Sequence, residues 1–345
     1  MSLIWNNKIS VSYFGEPHDS VIGVNIDNLP TGEYIDAEAV KHFIERLFPK
    51  SMGYKKHMPS PRIVSGIKNE HTTGSPLCAI IQNPDMIKEE KTDVSPQVRY
   101  GHADYTGTVR YRGFEDARKY MAYSEHFLIP LCFAGAISAQ ILERRGIYTG
   151  AHIASIHNIK DNPYDPVNIT RDAVSSMRFK DFPVINDRIG WLMLEDIAKA
   201  RDASESLGGI IECATVNLPS GVGSPVFDGL KNNIAQLVFC IPEISGLEFG
   251  SGFSASGMVG SQNNDRFYMN EQGYTLTKTN NHGGIIGGVS SGMPITFNTA
   301  FNPISKNSKG LFRTCFIPSA VPCVESAVNI ALLSNMIDYP NFCLR

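Results

Sequence analysis

The segment Asn280-Asn281-His282-Gly283-Gly284-Ile285-Ile286-Gly287-Gly288-Val289-Ser290-Ser291-Gly292 carries five glycines and no formal charge. Glycine reaches positive φ without a steric cost and lets backbone approach a neighbour closely, so this run dictates turns. Two readings follow from that chemistry. The glycine pairs flanking Ile285-Ile286 form either a wall pressed against a flat or anionic ligand or two tight turns around a short buried strand.

The chain has 345 residues, 42% of them hydrophobic, enough to bury a large core. Its formal net charge of -3 gives no reason to expect nucleic acid or an anionic membrane as partner. The start, Met1 to Lys8, turns polar at once, so no export signal is expected there. The most apolar run, Phe127 to Leu142, is interrupted by Pro130, Gly135, Ser138 and Gln140 and reads as a buried helix too short to span a bilayer. Cys78, Cys132, Cys213, Cys240, Cys315, Cys323 and Cys343 are scattered, odd in number and without a Cys-x-x-Cys pair. That spacing argues against a disulfide framework and a structural metal site, and for a reduced, cytoplasmic protein.

Periodicity orders the elements. Ile9 to Tyr13 and Val21 to Ile26 alternate as strands around a loop. Asp36 caps a helix whose Val40, Phe43, Ile44 and Leu47 share one face, and Pro49 stops it. Ile63 to Ile67 and Leu77 to Ile81 read as antiparallel neighbours, and Lys88 to Gln97 as a polar loop. The apolar helix near 127 to 145 closes at Arg144, Arg145 and Gly146. Asp187 to Glu205 predicts an amphipathic helix and Gly209 to Val216 a strand, while Ser224 and Pro225 open a helix with Phe227, Leu230, Ile234 and Leu237 on one face. Residues 155 to 186 give little signal. The order predicts a single α+β domain over residues 1–345 with antiparallel sheets in both halves.

A collinear series of segments resembles the chorismate synthase family over nearly the whole chain. It comprises Phe14-Gly15-Glu16-Pro17-His18-Asp19, Asp27-Asn28-Leu29-Pro30-Thr31-Gly32, Thr72-Thr73-Gly74, Gly101-His102-Ala103-Asp104-Tyr105-Thr106, Asn217 to Asp228, Gly260 to Asp265 and the glycine-rich run. The resemblance implies a β-α-β sandwich, with helices between two antiparallel four-stranded sheets, and a homotetramer. It implies 1,4-elimination of phosphate from 5-enolpyruvylshikimate 3-phosphate with reduced FMN, which carries the electronic step, and admits NADPH as the flavin's reductant. Carried over residue by residue, His18 and His102 stand at the two catalytic histidines, proton donors toward the flavin and the departing phosphate. Arg46 stands at a substrate-binding position, and Ser124, Gly287, Pro303 and Ser305 at cofactor positions.

The departures from the family pattern fall on charged groups. Leu47, Phe48 and Lys50 replace two arginines and the glycine of the family's Arg-Arg-Arg-Pro-Gly segment. The family's Gly-Gly-Gly-Arg-Ser-Ser-Ala-Arg run aligns with Lys119 to His126, keeping only Ser124. Asn302-Pro303-Ile304-Ser305-Lys306 stands for the segment that holds the flavin phosphate, with a lysine displaced to Lys306. Arg313 occupies the position of a carboxylate beside the flavin, and Cys315 that of the family's cysteine. Lys50, Lys55, Lys56, Arg62, Lys119, Lys306 and Arg313 are candidates for a rebuilt anion site, with solvated surface charge as the plainer reading of each.

Three readings stay open at this level. One is a chorismate synthase with a rebuilt anion site. Another is a paralogue that keeps the scaffold as a binding or regulatory protein, and a third a flavin-independent phosphate enzyme using Gly283 to Gly288 as an anion nest with His102 as acid. The geometry that separates them is whether His18, His102, Ser124, Gly287 and Ser305 line one cleft, and where Arg313 points.

Overall fold

The computed structural model describes residues 3–15, 20–54, 61–82, 104–112, 128–304 and 313–340. Alternation turns Val11 of Ser10–Phe14 inward, and that strand pairs antiparallel on both sides. The first sheet contains β1 (Ile4–Asn6), β2 (Ser10–Phe14), β3 (Val21–Asp27), β4 (Pro61–Ser65) and β5 (Leu77–Gln82), in the order β1-β2-β3-β5-β4. The second contains β6 (Tyr148–Ile156), β7 (Ile159–Lys160), β8 (Gly209–Val216), β9 (Ile244–Phe249) and β10 (Ile295–Phe301), in the order β9-β10-β8-β6-β7. Both are antiparallel throughout. Each therefore has four longer strands, as expected, plus one short edge strand of three (β1) or two (β7) residues.

Helices fill the space between the sheets. α1 (Ala37–Glu45) starts at Asp36, whose Oδ1 accepts from the amides of Glu38 and Ala39 at 2.9 and 3.0 Å, and it buries Val40, Phe43 and Ile44. α2 (Leu128–Glu143) is apolar on nearly every face, as a helix covered from both sides must be. At its end Arg144 and Arg145 bind the carboxylate of Glu33, which fastens α2 to the segment after β3. α3 (Asp187–Asp202) is capped by Asn186, and α4 (Leu230–Val238) buries Leu230, Ile234 and Leu237.

α5 (Ile317–Ile337) is the central helix and packs against α2, α4, β6 and β8. Among the described residues it alone is long and apolar enough to cross a membrane, and it is buried in the core. Side chains of the two five-stranded sheets and of these five helices join one continuous apolar cluster.

One local expectation is corrected. Ser224 and Pro225 do not open α4: Val226–Asp228 is a separate 3₁₀ turn, and Gly229, extended at φ -69 and ψ 152, resets the chain before Leu230. Phe227 therefore leaves the apolar face and is 92% exposed. Of residues 155 to 186, which give little periodicity, the first few complete β6 and β7 and the rest form a layer on the outer face of the second sheet, where Tyr164, Val174 and Met177 pack on Ala214 and Val216. The loop read over Lys88 to Gln97 lies outside the described residues.

Candidate active site

Where α1 ends, Arg46 turns toward the interior. Its guanidinium grips Glu325 of α5 with both arms, Nη1 donating to Oε2 at 2.5 Å and Nη2 to Oε1 at 2.9 Å. Glu325 is fully buried and also accepts from the amide of Ala151 on β6 at 3.0 Å. Burial opposes the charge on Arg46, but the Glu325 carboxylate overrides it and holds the guanidinium above its ordinary value. One ion pair thus ties α1, α5 and the second sheet together.

Beyond Arg46, Pro49 leads into a 3₁₀ turn over Lys50–Met52. Asp181 fixes that turn, its two oxygens accepting from the amides of Lys50 and Ser51 at 2.7 Å each. Arg178, on the same outer segment, donates Nη2 to the carbonyl of Thr149 at 2.7 Å and Nη1 to Glu143 at the end of α2. These groups enclose a cavity of about 490 Å³ between the end of α1, the start of α5 and residues 178–183. Arg46, Lys50, Arg178, Lys180 and His42 bring cationic or protonatable groups to it, with Glu45 and Asp181 as acids. Phe48 and Tyr54, edge to face at 5.5 Å, form an aromatic wall, and Pro49, Pro183, Pro318 and Pro322 stiffen the rest. Its volume and mixed lining are those of a small-molecule site.

Arg313 stands behind that wall. Its guanidinium lies 4.7 Å from the Tyr54 ring centroid and 5.6 Å from that of Phe316, and burial pushes it down to about 10, still charged at neutral pH. Burial pushes the Cys315 thiol up to about 12, so it packs as a neutral side chain.

The glycine-rich run folds as a hairpin, Ile285–Ile286 paired with Val289–Ser290, with Gly287 and Gly288 in the turn at φ 63 and 90. This is the primed turn of a two-residue hairpin and needs positive φ at both positions. The amides of Gly283 and Gly284 are committed to Asn280, through its carbonyl at 3.1 Å and Oδ1 at 2.7 Å, so neither is free to cradle an anion. Next to the hairpin, Asp265 accepts from Thr279, Asn281 and His282, holding the loop in place.

Among the described residues, Arg46 and the anion-site candidate Lys50 are the sequence-predicted residues that line the cavity. Pro303 lies at the same end of the sheet: Phe301 packs on Phe316, two residues before Pro318. Gly287 is held apart from Pro303 within one copy, since the hairpin precedes the end of β10 paired with Thr215 and Pro303 follows the end paired with Gly209. The seven residues between those ends span about 23 Å at roughly 3.3 Å each. His18, His102, Ser124 and Ser305 lie outside the described residues. Sequence reasoning missed Arg178, Asp181 and Glu325. The signal for Glu325 was present, because it is the only charge between Ile317 and Ile337, and a lone acid in such a run requires a buried cation.

A family model described as chorismate synthase matches residues 9–337 of the chain. The chorismate synthase of Thermococcus kodakarensis is 31% identical over 360 residues, covering 95% of this chain and 96% of that protein. That of Dehalococcoides mccartyi is 33% identical over 357 residues, covering 96% of each. A solved structure titled "Crystal Structure of Chorismate Synthase" superposes with a TM-score of 0.81 at 24% identity, over 96% of this chain and 92% of that one, a likeness of fold.

Proposed function

The chain belongs to the chorismate synthase family, and from that premise we propose how its own residues carry the family's reaction. The enzyme is a lyase of aromatic amino acid biosynthesis that removes phosphate and a hydrogen from 5-enolpyruvylshikimate 3-phosphate by 1,4-elimination, giving chorismate. The observation that carries this reading is the match along nearly the full length of chain and relatives.

The cavity at Arg46 is the proposed place of chemistry. Its aromatic wall, its cationic side chains and its volume suit a planar, anionic guest, which describes FMN as well as a phosphorylated cyclic substrate. When bound, reduced FMN supplies the transient electron density that lets the elimination proceed without net redox change. Ser124, Pro303 and Ser305 would hold the cofactor. Gly287 joins them only where a second copy brings its hairpin to the same cavity, an arrangement that the proposed homotetramer allows. Phe253, Phe267, Met269 and Tyr274, each at least 60% exposed, give self-association an apolar surface to cover.

Arg46, oriented by Glu325, presents positive charge to the substrate without changing rotamer. His18 and His102 would serve as proton donors, one toward the flavin and one toward the phosphate, where the proton would neutralise the leaving group as its C–O bond breaks. Proline and aromatic walls keep bulk water from the reacting face. We take residues 1–345 as one domain, in keeping with the shared core of the two sheets, and the protein as cytoplasmic.

Anaerobic incubation with dithionite-reduced FMN and 5-enolpyruvylshikimate 3-phosphate tests the proposal, with product absorbance and free phosphate followed together. Both are expected to rise in parallel. No product above the enzyme-free blank removes the enzymatic reading and leaves a scaffold-only paralogue. A parallel arm with NADPH in place of dithionite tests whether the chain reduces its own flavin.

A further inference from the structure

Most of the cavity's cationic groups are already committed to the protein. Both arms of Arg46 are on Glu325, and Arg178 is bound to Glu143 and to the Thr149 carbonyl. Lys180 donates to the Val184 carbonyl and to Asp187 at 2.7 Å each, and His42 is engaged with Glu45 at 3.0 Å. Lys50 differs. Among the described residues nothing bonds its ammonium, while its backbone is clamped by Asp181. The neighbouring Leu47 and Phe48 supply no charge, Leu47 packing in the core and Phe48 against Tyr54.

We infer that Lys50 is the residue with which this cavity holds a phosphoryl dianion. A lysine ammonium is a compact, strongly hydrated charge that serves phosphate as a point charge from many directions, and the guanidiniums of Arg46 and Arg178, which could also chelate phosphate, are already engaged within the protein. The clamped 3₁₀ turn sets the root of the side chain at the mouth, and the four-carbon stem lets the ammonium close on a ligand entering beside it. Asp181 is the positioning residue: both its oxygens face the turn's amides, so its charge holds the turn in place. The inference rests on the proposed function for the identity of the guest, but the assignment of Lys50 has its own readouts.

Lys50→Ala and Lys50→Arg are compared with the wild type and with Lys199→Ala, a cation exposed on α3. Far-UV circular dichroism confirms that each is folded. If the dianion is the substrate's, Lys50→Ala raises KM for 5-enolpyruvylshikimate 3-phosphate roughly tenfold or more, with kcat within about threefold, and Lys50→Arg recovers most of the loss. If it is the cofactor's, Lys50→Ala weakens FMN by a similar factor in fluorescence titration and leaves riboflavin unchanged. Either pattern supports the assignment and names its source. Changes under about twofold in both KM and FMN affinity, or equal losses in Lys199→Ala, overturn it while wild-type turnover keeps the family reading intact. Should the wild type make no product, line broadening of inorganic phosphate in ³¹P spectra decides the point. Broadening by the wild type and none by Lys50→Ala supports the assignment, and equal broadening overturns it.

Discussion

Replacing Glu325 by glutamine removes one charge and leaves the rest of the architecture in place, so its effect can be worked out. Glu325 is fully buried, accepts both arms of Arg46 and the Ala151 amide, and lies 3.9 Å from Arg178 Nε. Glutamine can still accept from Ala151 but leaves the Arg46 guanidinium, whose side chain is 14% exposed, without a counter-charge. Breaking a buried pair in this way costs about 3 to 5 kcal/mol, a large share of the roughly 5 to 15 kcal/mol that keeps a domain folded. With an unfolding entropy of about 2.1 cal/mol/K per residue, a chain of 345 residues loses about 1.4 °C of Tm per kcal/mol. Glu325→Gln should therefore lower Tm by about 4 to 7 °C, read by circular dichroism or calorimetry. Arg46→Met combined with Glu325→Gln should cost clearly less than the sum of the single changes, by about 1.5 kcal/mol or more, because no charge is then left buried alone. A shift under about 1.5 °C, or simple additivity of the two changes, would refute the claim that this pair fastens α1 to α5.

Further outcomes follow from the same geometry. Gly284→Ala should destabilise strongly, since its Cβ would strike the Pro294 carbonyl at φ 76, whereas Gly287→Ala, with open space around it, should cost only about 1 to 2 kcal/mol for its left-handed backbone; equal urea midpoints for the two variants would contradict this. His152 is fully buried, with Nε2 2.8 Å from Glu212 and Nδ1 3.5 Å from Asp161. Burial opposes its charge, but hydrogen bonding and attraction from the two carboxylates win and raise its pKa in the fold. Its stabilisation is then complete below the ordinary imidazole value near 6.5 and fades as pH rises through the raised folded value. The Tm gap between wild type and His152→Gln should accordingly narrow from pH 6 toward pH 9, and a widening gap would reverse the assignment. His18→Ala and His102→Ala should each lower kcat by about 10² to 10⁴ while FMN affinity, measured by fluorescence, stays within about threefold; unchanged kcat in either removes that residue from the chemistry.

The sequence exposed the fold wherever an element is half-buried. α1 is legible from Asp36 and the spacing of Val40, Phe43 and Ile44, and β2, β3 and β8 from alternation or apolar runs closed by turns. α5 is not legible in that way, because a helix buried on every side has no polar face to create a period, and Pro318, Pro322, Ser326 and Asn335 look like breaks. In the fold Ser326 and Asn335 return their donors to carbonyls one turn back, Pro322 and Ala331, so their polarity is absorbed locally. The site was visible in part. Arg46 could be placed from the resemblance, but its partner Glu325 is 279 residues away, and Arg178 and Asp181 come from a layer whose shape is set by packing on the second sheet. The glycine-rich run shows the limit of composition: turn chemistry was legible, while the commitment of its amides to Asn280 depends on a side chain whose direction no pattern reveals.

A structure of the protein with FMN and 5-enolpyruvylshikimate 3-phosphate bound decides where the chemistry sits. Ligand density is expected in the cavity between the end of α1 and the start of α5, with a phosphoryl group within hydrogen-bond reach of Lys50 Nζ and the Arg46–Glu325 pair intact. Ligand density confined to the Gly287 hairpin, or a cavity that stays empty at saturating ligand, would contradict it.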